Sequence, residues 1–336
     1  MPRKDFVNAL RAIATRHNLE FESWSHDWII QISDVSSGKR CSIFGYTFDA
    51  NGAGAAEICR EKSATSLVLE KRGVANVPHH VFLNPSAALA ADYVPKHGNW
   101  DAIRKLIDEL GFPVVLKPLK GTGGLGVVKA RCWRDVEGAV QNIFTKDYGL
   151  AISPYKKIID EYRCFCIYGV VEFIYRKVRS EVTGDGTSTV SALIQRRIGS
   201  AANDKEALEL TKAAAEVPPE EWARVPSEGE PVPLQWKHNL GQGASVDTNV
   251  PAEKARALEV VALAGARALG TQFCSADVIE VENDGFMIME INGGVMMDSL
   301  IGQLGDDGIA LASRIYEKAV LGALDLQEPQ VKRQKT

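Results

Sequence analysis

Residues 112–131 read FPVVLKPLKGTGGLGVVKAR, and this stretch decides the fold. The apolar run at 112–118 predicts a strand, and the β-branched VVKAR at 127–131 predicts another. Between them lies KGTGGLG at 120–126, a loop in which backbone N–H groups could approach phosphate oxygens with no Cβ in the way. A dinucleotide-binding or Walker loop would have to open a helix, whose N-terminus receives the phosphate. This loop leads into a strand instead, and no GK[ST] follows it. It therefore reads as a strand–loop–strand flap. Lys117 interrupts the entering strand, which is costly unless its ammonium meets an anion. A triphosphate under the flap would supply that anion. The competing reading is an ordinary glycine hairpin with Lys117 reaching out to solvent.

Working outward, helical spacing predicts helices over 4–18, 55–73, 100–110, 133–144 and 251–269, with a closing helix over 310–324. Gly73 and Pro78 are expected to end the second of these. Strands are expected at 28–32, 41–44, 161–167 and 170–177, the last two joined by Tyr168-Gly169. Residues 203–233 start as a helix and turn proline- and glutamate-rich, which suggests a surface excursion. The end, QEPQVKRQKT, reads as a solvated tail. Antiparallel hairpins mixed with helices, and no internal repeat, indicate an α+β fold in about three pieces. These are an N-terminal unit over 1–60, a flap-bearing unit over 61–155 and a C-terminal unit over 156–325, with 326–336 as the tail.

The last hairpin, FCSADVIEV–ENDG–FMIMEI at 273–291, carries Asp277 and Glu290, with Asn292 just beyond. Alternation places Glu290 and Asn292 on one face, with Met289 and Ile291 on the other. If Asp284-Gly285 forms a two-residue turn, Asp277 lies opposite Asn292 and diagonal to Glu290. Two carboxylates and an amide oxygen would then converge and repel unless a cation sits between them. So few hard oxygen ligands suit a magnesium ion that keeps waters and takes phosphate. A solvent-facing strand edge with routine acidic residues is the alternative, and the apolar neighbours Phe273, Val278, Ile279, Met287 and Ile288 argue against it.

Composition narrows the remaining classes. The 336 residues are 45% hydrophobic and 24% charged, values that exclude wholesale disorder and disulfide mini-scaffolds. A net charge of -4 gives no global drive toward nucleic acid or an anionic membrane. No apolar run approaches a membrane-spanning length. The six cysteines show no zinc spacing, and Cys164 and Cys166 read as small buried apolar residues of one strand face. A reducing, cytoplasmic setting is the expectation.

Taken in chain order, REKSAT at 60–65, VVLKP at 114–118, the flap, E-x-R at 161–163 and the final D…E-x-N hairpin resemble the ATP-grasp fold. The runs VRSEVTGDGTSTVSALIQRR at 178–197 and WKHNLGQGASVD at 236–247 resemble the ATP-grasp segments of cyanophycin synthetase and bifunctional glutathione synthetase. The ribosomal-protein glutamate ligase is a more distant likeness. The resemblance implies a nucleotide cleft between the central and C-terminal units, with ATP and magnesium as cofactors. It implies phosphate contacts from Lys62, Lys117, Gly121, Thr122, Gly123, Gly124 and Gly126. Adenine would be held by backbone groups around Ser153–Tyr155 and the ribose by Glu161, with Asp160 as a rival. Arg163, Lys177, Arg179 and Asn239 are implied at the reacting groups, His238 beside them facing substrate, and Asp277, Glu290 and Asn292 as magnesium ligands.

Two departures matter. The family commonly follows E-x-N with a small residue and Pro-Gly, where this chain reads GGVMMD, so the acceptor pocket does not carry over. The proline usual before GDG is also missing, which leaves Lys177 and Arg179 as alternatives for one cation. The activity implied is ligation of an amino-acid or peptide carboxylate to an amine through an acyl phosphate, with no nucleic-acid or membrane partner and a homodimer left open. A non-catalytic ATP-binding protein of the same fold, or phosphoryl transfer to another acceptor, are the rivals.

Overall fold

The structure is a computed structural model that describes residues 3–87, 93, 99–121, 123–240 and 243–326. Helix α1 (Arg3–Arg16) buries Phe6, Val7, Leu10, Ile13 and Ala14, one face at helical spacing. It packs on an antiparallel meander of β1 (Glu20–Trp24), β2 (Ile29–Asp34), β3 (Lys39–Phe44) and β4 (Thr47–Phe48). Strand β1 was not expected from sequence. Its residues EFESW alternate between exposed and half-buried, so no apolar period marks it.

The helix expected over 55–73 is two helices, α2 (Ala53–Arg60) and α3 (Lys62–Lys71). The break falls at Glu61, which is extended (φ -121, ψ 117) and whose carboxylate accepts from the Ser63 and Ala64 amides. A side chain that caps a helix start competes with continuing the previous helix. Lys62 thereby becomes the first residue of a new helix. The next unit is a four-stranded antiparallel sheet in the order β5-β8-β6-β7, from β5 (His80–Leu83), β6 (Val114–Pro118), β7 (Val128–Ala130) and β8 (Gly149–Pro154). Helices α4 (Trp100–Leu110) and α5 (Trp133–Phe144) cover it through Ile103, Ile107, Val136, Val140 and Ile143. The flap joins β6 to β7 as expected, with Gly121, Gly123, Gly124 and Gly126 all at positive φ.

The third unit is built on a five-stranded antiparallel sheet, order β13-β10-β9-β14-β15. Its strands are β9 (Ile158–Ile167), β10 (Val170–Val178), β13 (Ser245–Asp247), β14 (Phe273–Val281) and β15 (Gly285–Asn292). Tyr168 (φ 44) and Gly169 (φ 81) turn β9 into β10. Between β10 and β13 the chain makes β11 (Glu181–Thr183), α6 (Val190–Gly199), α7 (Asp204–Ala214) and β12 (Pro231–Pro233). Residues 203–233 are thus no loose excursion. They close a small lobe in which Val182, Val190, Ile194, Leu210, Val217, Val232 and Leu234 form a core, and sparse apolar residues among prolines suffice to plug it. Helix α8 (Ala252–Leu269) covers one face of the large sheet, against Cys164, Cys166, Cys274, Ala276 and Val278. The other face meets α1, the meander and α10 (Asp306–Ala323) through Phe165, Ile167, Tyr175 and Phe273. Helix α9 (Asp298–Leu304) precedes α10. Among the described residues, no helix is long and apolar enough to cross a membrane.

Candidate active site

Beyond its aromatic end, the same sheet face turns charged. Arg163 on β9 pairs in register with Tyr175 on β10 and Asp277 on β14, while Glu161 pairs with Lys177. Cross-strand partners share a face, so Glu161, Arg163, Lys177 and Asp277 stand together. Arg163 donates to both Asp277 oxygens at 2.8 Å, a planar two-pronged pair. Lys177 Nζ lies 2.5 Å from Glu161 Oε1 and 2.9 Å from Asp277 Oδ1. Burial opposes ionisation of Asp277, but Arg163 and Lys177 outweigh it and hold the carboxyl well below the usual range. Burial pushes the Glu161 carboxyl up, with Lys177 working against the rise. Arg163 and Lys177 stay firmly protonated, their carboxylate partners offsetting burial.

The register of the acidic hairpin differs from the sequence expectation. Asp277 faces Glu290 directly, and Asn292 faces Ser275; the turn spans 282–284 rather than two residues, which alone would bring Met289 opposite Asp277. A bulge follows: Asp277 pairs with Glu290 but Val278 with Ile288, leaving Met289 as the extra residue. Met289 therefore does not take the face opposite Glu290. Its Sδ lies 3.6 Å from Lys117 Nζ, on the site side, while Ile288 and Ile291 pack toward α8.

The two lysines expected at phosphate, Lys62 and Lys117, lie on the flap side. Lys62, first residue of α3, donates to the Gly121 carbonyl at 2.9 Å and lies 3.7 Å from Glu290 Oε1. Asn239 Nδ2 donates to the Gly123 carbonyl at 2.5 Å, so the flap is tied from both sides. Lys117 is 9% exposed, and its nearest polar partner is His79 Nε2 at 3.0 Å. Burial lowers its pKa to about 8, with Glu290 resisting. Thr122 lies outside the described residues.

The expected hinge straddles the end of β8. Ser153 is buried opposite Val115, the Tyr155 amide donates to the Pro113 carbonyl, and Lys129 Nζ sits 3.6 Å over the Tyr155 ring. Asp160 points away from the cluster and pairs with Arg176 at 3.4 Å. Lys177 belongs to the buried cluster, whereas Arg179 is half-buried just past the end of β10 and, among the described residues, makes no ion pair. His238 Nδ1 is buried with no hydrogen-bond partner, 3.6 Å from Glu161 Oε2. Burial, then Arg179 and Lys177, push its pKa down to about 3. His79 had no sequence signal, since no motif surrounds it. The Arg163–Asp277 pair was equally hidden, because its partners stand 114 positions apart.

Among the described residues no three His, Cys, Asp or Glu side chains converge as a metal cluster. The expected set of two carboxylates and one amide is a different case. Asp277, Glu290 and Asn292 share the site face by register, and all their donors are hard oxygens. Asp277 is tied to two cations, whereas Glu290 is 29% exposed. Among the described residues, Asn292 makes no side-chain hydrogen bond. That donor set fits a magnesium ion that keeps most of its ligands from water and phosphate.

A flap between two strands, two lysines behind it and an acidic hairpin facing them, set on two antiparallel sheets, are the parts of the ATP-grasp fold. No family model matches the chain. It is similar to the cyanophycin synthetase of Nostoc sp., 25% identical over 184 residues, which are 54% of this chain and 18% of that protein. The glutathione biosynthesis bifunctional protein of Streptococcus mutans is 31% identical over 100 residues, 29% of this chain and 13% of its own length. The chain thus spans a small part of the curated relatives it matches. Among solved structures, a D-alanine--D-alanine ligase from Bacillus anthracis superposes with a TM-score of 0.52 at 17% identity, over 82% of this chain and 71% of that one. The fold expected from sequence is the fold observed.

Proposed function

We propose that this protein is an ATP- and magnesium-dependent ligase that joins the carboxylate of an amino acid or small peptide to an amine through an acyl phosphate. One observation carries the reading. The Glu161–Lys177–Asp277–Arg163 cluster places two committed cations on a sheet face that the flap, Lys62 and Lys117 oppose. A substrate carboxylate oxygen attacks the γ-phosphorus, and ADP leaves. An amine nitrogen then attacks the acyl carbon, inorganic phosphate leaves, and the nitrogen loses a proton.

Positioning and charge do most of this chemistry. Lys62 and Lys117 offset phosphate charge, and Arg163, oriented by Asp277, faces the oxygen that becomes negative as the amine adds. Lys177 rather than Arg179 is assigned as the cation of the cluster, and Arg179 as a contact for substrate beside His238 and Asn239. Ser153 and Tyr155 would hold adenine through the backbone, and Glu161 the ribose. Asp277, Glu290 and Asn292 would hold magnesium, which draws charge from the phosphates when bound. The flap, tied by Lys62 and Asn239, would keep the acyl phosphate from water.

The test is a screen of amino-acid and dipeptide pairs for ADP release, repeated with hydroxylamine in place of the amine. A hydroxamate is expected. ATP binding without ADP release from any pair would point to a nucleotide sensor, and ADP release without hydroxamate to another phosphoryl acceptor.

A further inference from the structure

His79 lies outside every motif, yet it is the nearest polar partner of Lys117. It is 8% exposed, on the stretch leading into β5, and its position is fixed at three points. Its backbone amide donates to Ser66 Oγ on α3 at 3.0 Å. Its ring Nδ1 lies 2.7 Å from the Val77 carbonyl, and the Val77 amide in turn donates to the Ile288 carbonyl on β15. A carbonyl can only accept, so Nδ1 carries the ring proton and Nε2 is left as a lone pair. That lone pair faces Lys117 Nζ at 3.0 Å. Burial and the neighbouring Lys117 charge hold the imidazole neutral, which this geometry requires.

An ammonium has three N–H donors. His79 takes one and Met289 Sδ, at 3.6 Å, weakly engages a second. Among the described residues the third has no partner. This buried lysine touches a neutral ring and a thioether, and Glu290 acts on it only from beyond contact, so no anion pairs with it directly. A hydrogen bond to a neutral acceptor orients the ammonium without cancelling its charge, which a carboxylate in the same place would do.

We propose that His79 is a positioning residue: its Nε2 lone pair holds the Lys117 ammonium charged and aimed, so that the free N–H meets a phosphate oxygen of the nucleotide. This rests on the reading of the cleft as an ATP site. His79 does not touch nucleotide and acts through Lys117 alone. Because its place is set by α3 and by the strand that carries Glu290, it also ties the orientation of Lys117 to both walls of the cleft.

The test uses the full chain and compares His79→Gln with His79→Asn. Glutamine can place an acceptor near the position of Nε2, whereas asparagine keeps a polar group near Val77 and falls short of Lys117. Calorimetry with ATP plus magnesium, and separately with adenosine, gives the readout. His79→Asn is expected to weaken ATP binding about tenfold or more, the scale of one hydrogen bond to a charged group, and His79→Gln to restore most of it. Adenosine binding should be the same in both variants, since it carries no phosphate. In a Lys117→Met background the His79→Asn change should have no further effect on ATP. Equal ATP affinity in the Gln and Asn variants, with Lys117→Met alone still weakened, overturns the role of His79 and leaves the ATP site intact. Failure of the unmodified chain to bind ATP, or unchanged binding in Lys117→Met, overturns the reading of the site itself.

Discussion

Arg163 and Asp277 are direct partners across β9 and β14, and their side chains close a two-pronged ion pair with both contacts at 2.8 Å. Lys177 leans on the same carboxylate at 2.9 Å, so one aspartate contacts two cations, the second of which it shares with Glu161. Asp277→Asn is therefore expected to be a folding defect as well as a catalytic one. Removing the charged partner of a buried pair costs roughly 3–5 kcal/mol. Urea unfolding of the variant should register that loss, and an unchanged midpoint would refute the pairing.

Glu290 should behave in the opposite way. It is partly exposed, and its ion-pair partner, Lys62, is 3.7 Å away. Glu290→Gln is expected to change stability by no more than about 0.5 kcal/mol, as for most surface substitutions. Magnesium-dependent turnover should nevertheless be lost. Full activity with an ordinary magnesium titration would remove Glu290 from the metal set.

The Lys117 ammonium gives a pH signature. Burial brings it to about 8 from 10.5, so the charged form prevails below that value and the neutral amine above it. ATP affinity is expected to fall as pH rises through about 8. Stability runs the other way. The unfolded chain keeps this proton up to about 10.5, so the group's contribution to folding is least favourable below about 8 and improves as pH climbs between the two values. Calorimetric ATP titrations on either side of that window check the first statement. A fall of the same size in Lys117→Arg, which remains charged, would assign it to another group.

Release of the flap should uncouple the two half-reactions. Asn239→Ala removes the bond to the Gly123 carbonyl, and the ratio of ADP formed to amide formed is expected to rise about fivefold for the loss of ~1 kcal/mol. Coupled measurement of both products decides it; an unaltered ratio means Asn239 does not hold the closed loop.

Gly126→Ala tests the shape of the same loop. The residue sits at φ +70, and a methyl group there would lie 3.0 Å from Pro118 Cγ. A left-handed conformation costs an alanine roughly 1–2 kcal/mol, so a lower thermal midpoint is expected. An unchanged one would place the glycine outside that conformation.

Much of this was legible because it is local. The strand–flap–strand order, the helices at 100–110 and 133–144, and the turn at Tyr168-Gly169 are written in apolar period and glycine placement. Strand β1 was missed because Ser23 takes the half-buried position and Trp24 the exposed one, which breaks the apolar alternation after Phe21, and the 203–233 lobe because a core of a few valines and leucines among prolines has no period. The break at Glu61 turned on a single side chain preferring to cap one helix over extending another. Lys62, Lys117, Glu161, Arg163, Asp277 and Glu290 could each be marked as residues of interest. The Arg163–Asp277 and Lys62–Glu290 pairs could not, since their members stand more than a hundred positions apart and leave no trace in either stretch. His79 was invisible because no motif surrounds it and its partner Lys117 lies on β6.

The extra residue at Met289 has a consequence for how this chain can vary. If the register set at the turn ran on without the bulge, Glu290 would stand opposite Ala276 and Asn292 opposite Cys274. Side chains alternate strictly along a strand, so a shift of one would rotate Glu290 and Asn292 into the apolar layer beneath α8. The three-residue turn at 282–284 lies outside that constraint and could lengthen freely. Among descendants of this sequence, insertions and deletions should therefore gather at the tip of the hairpin and spare the stretch from Phe286 to Asn292, even where the residues there drift.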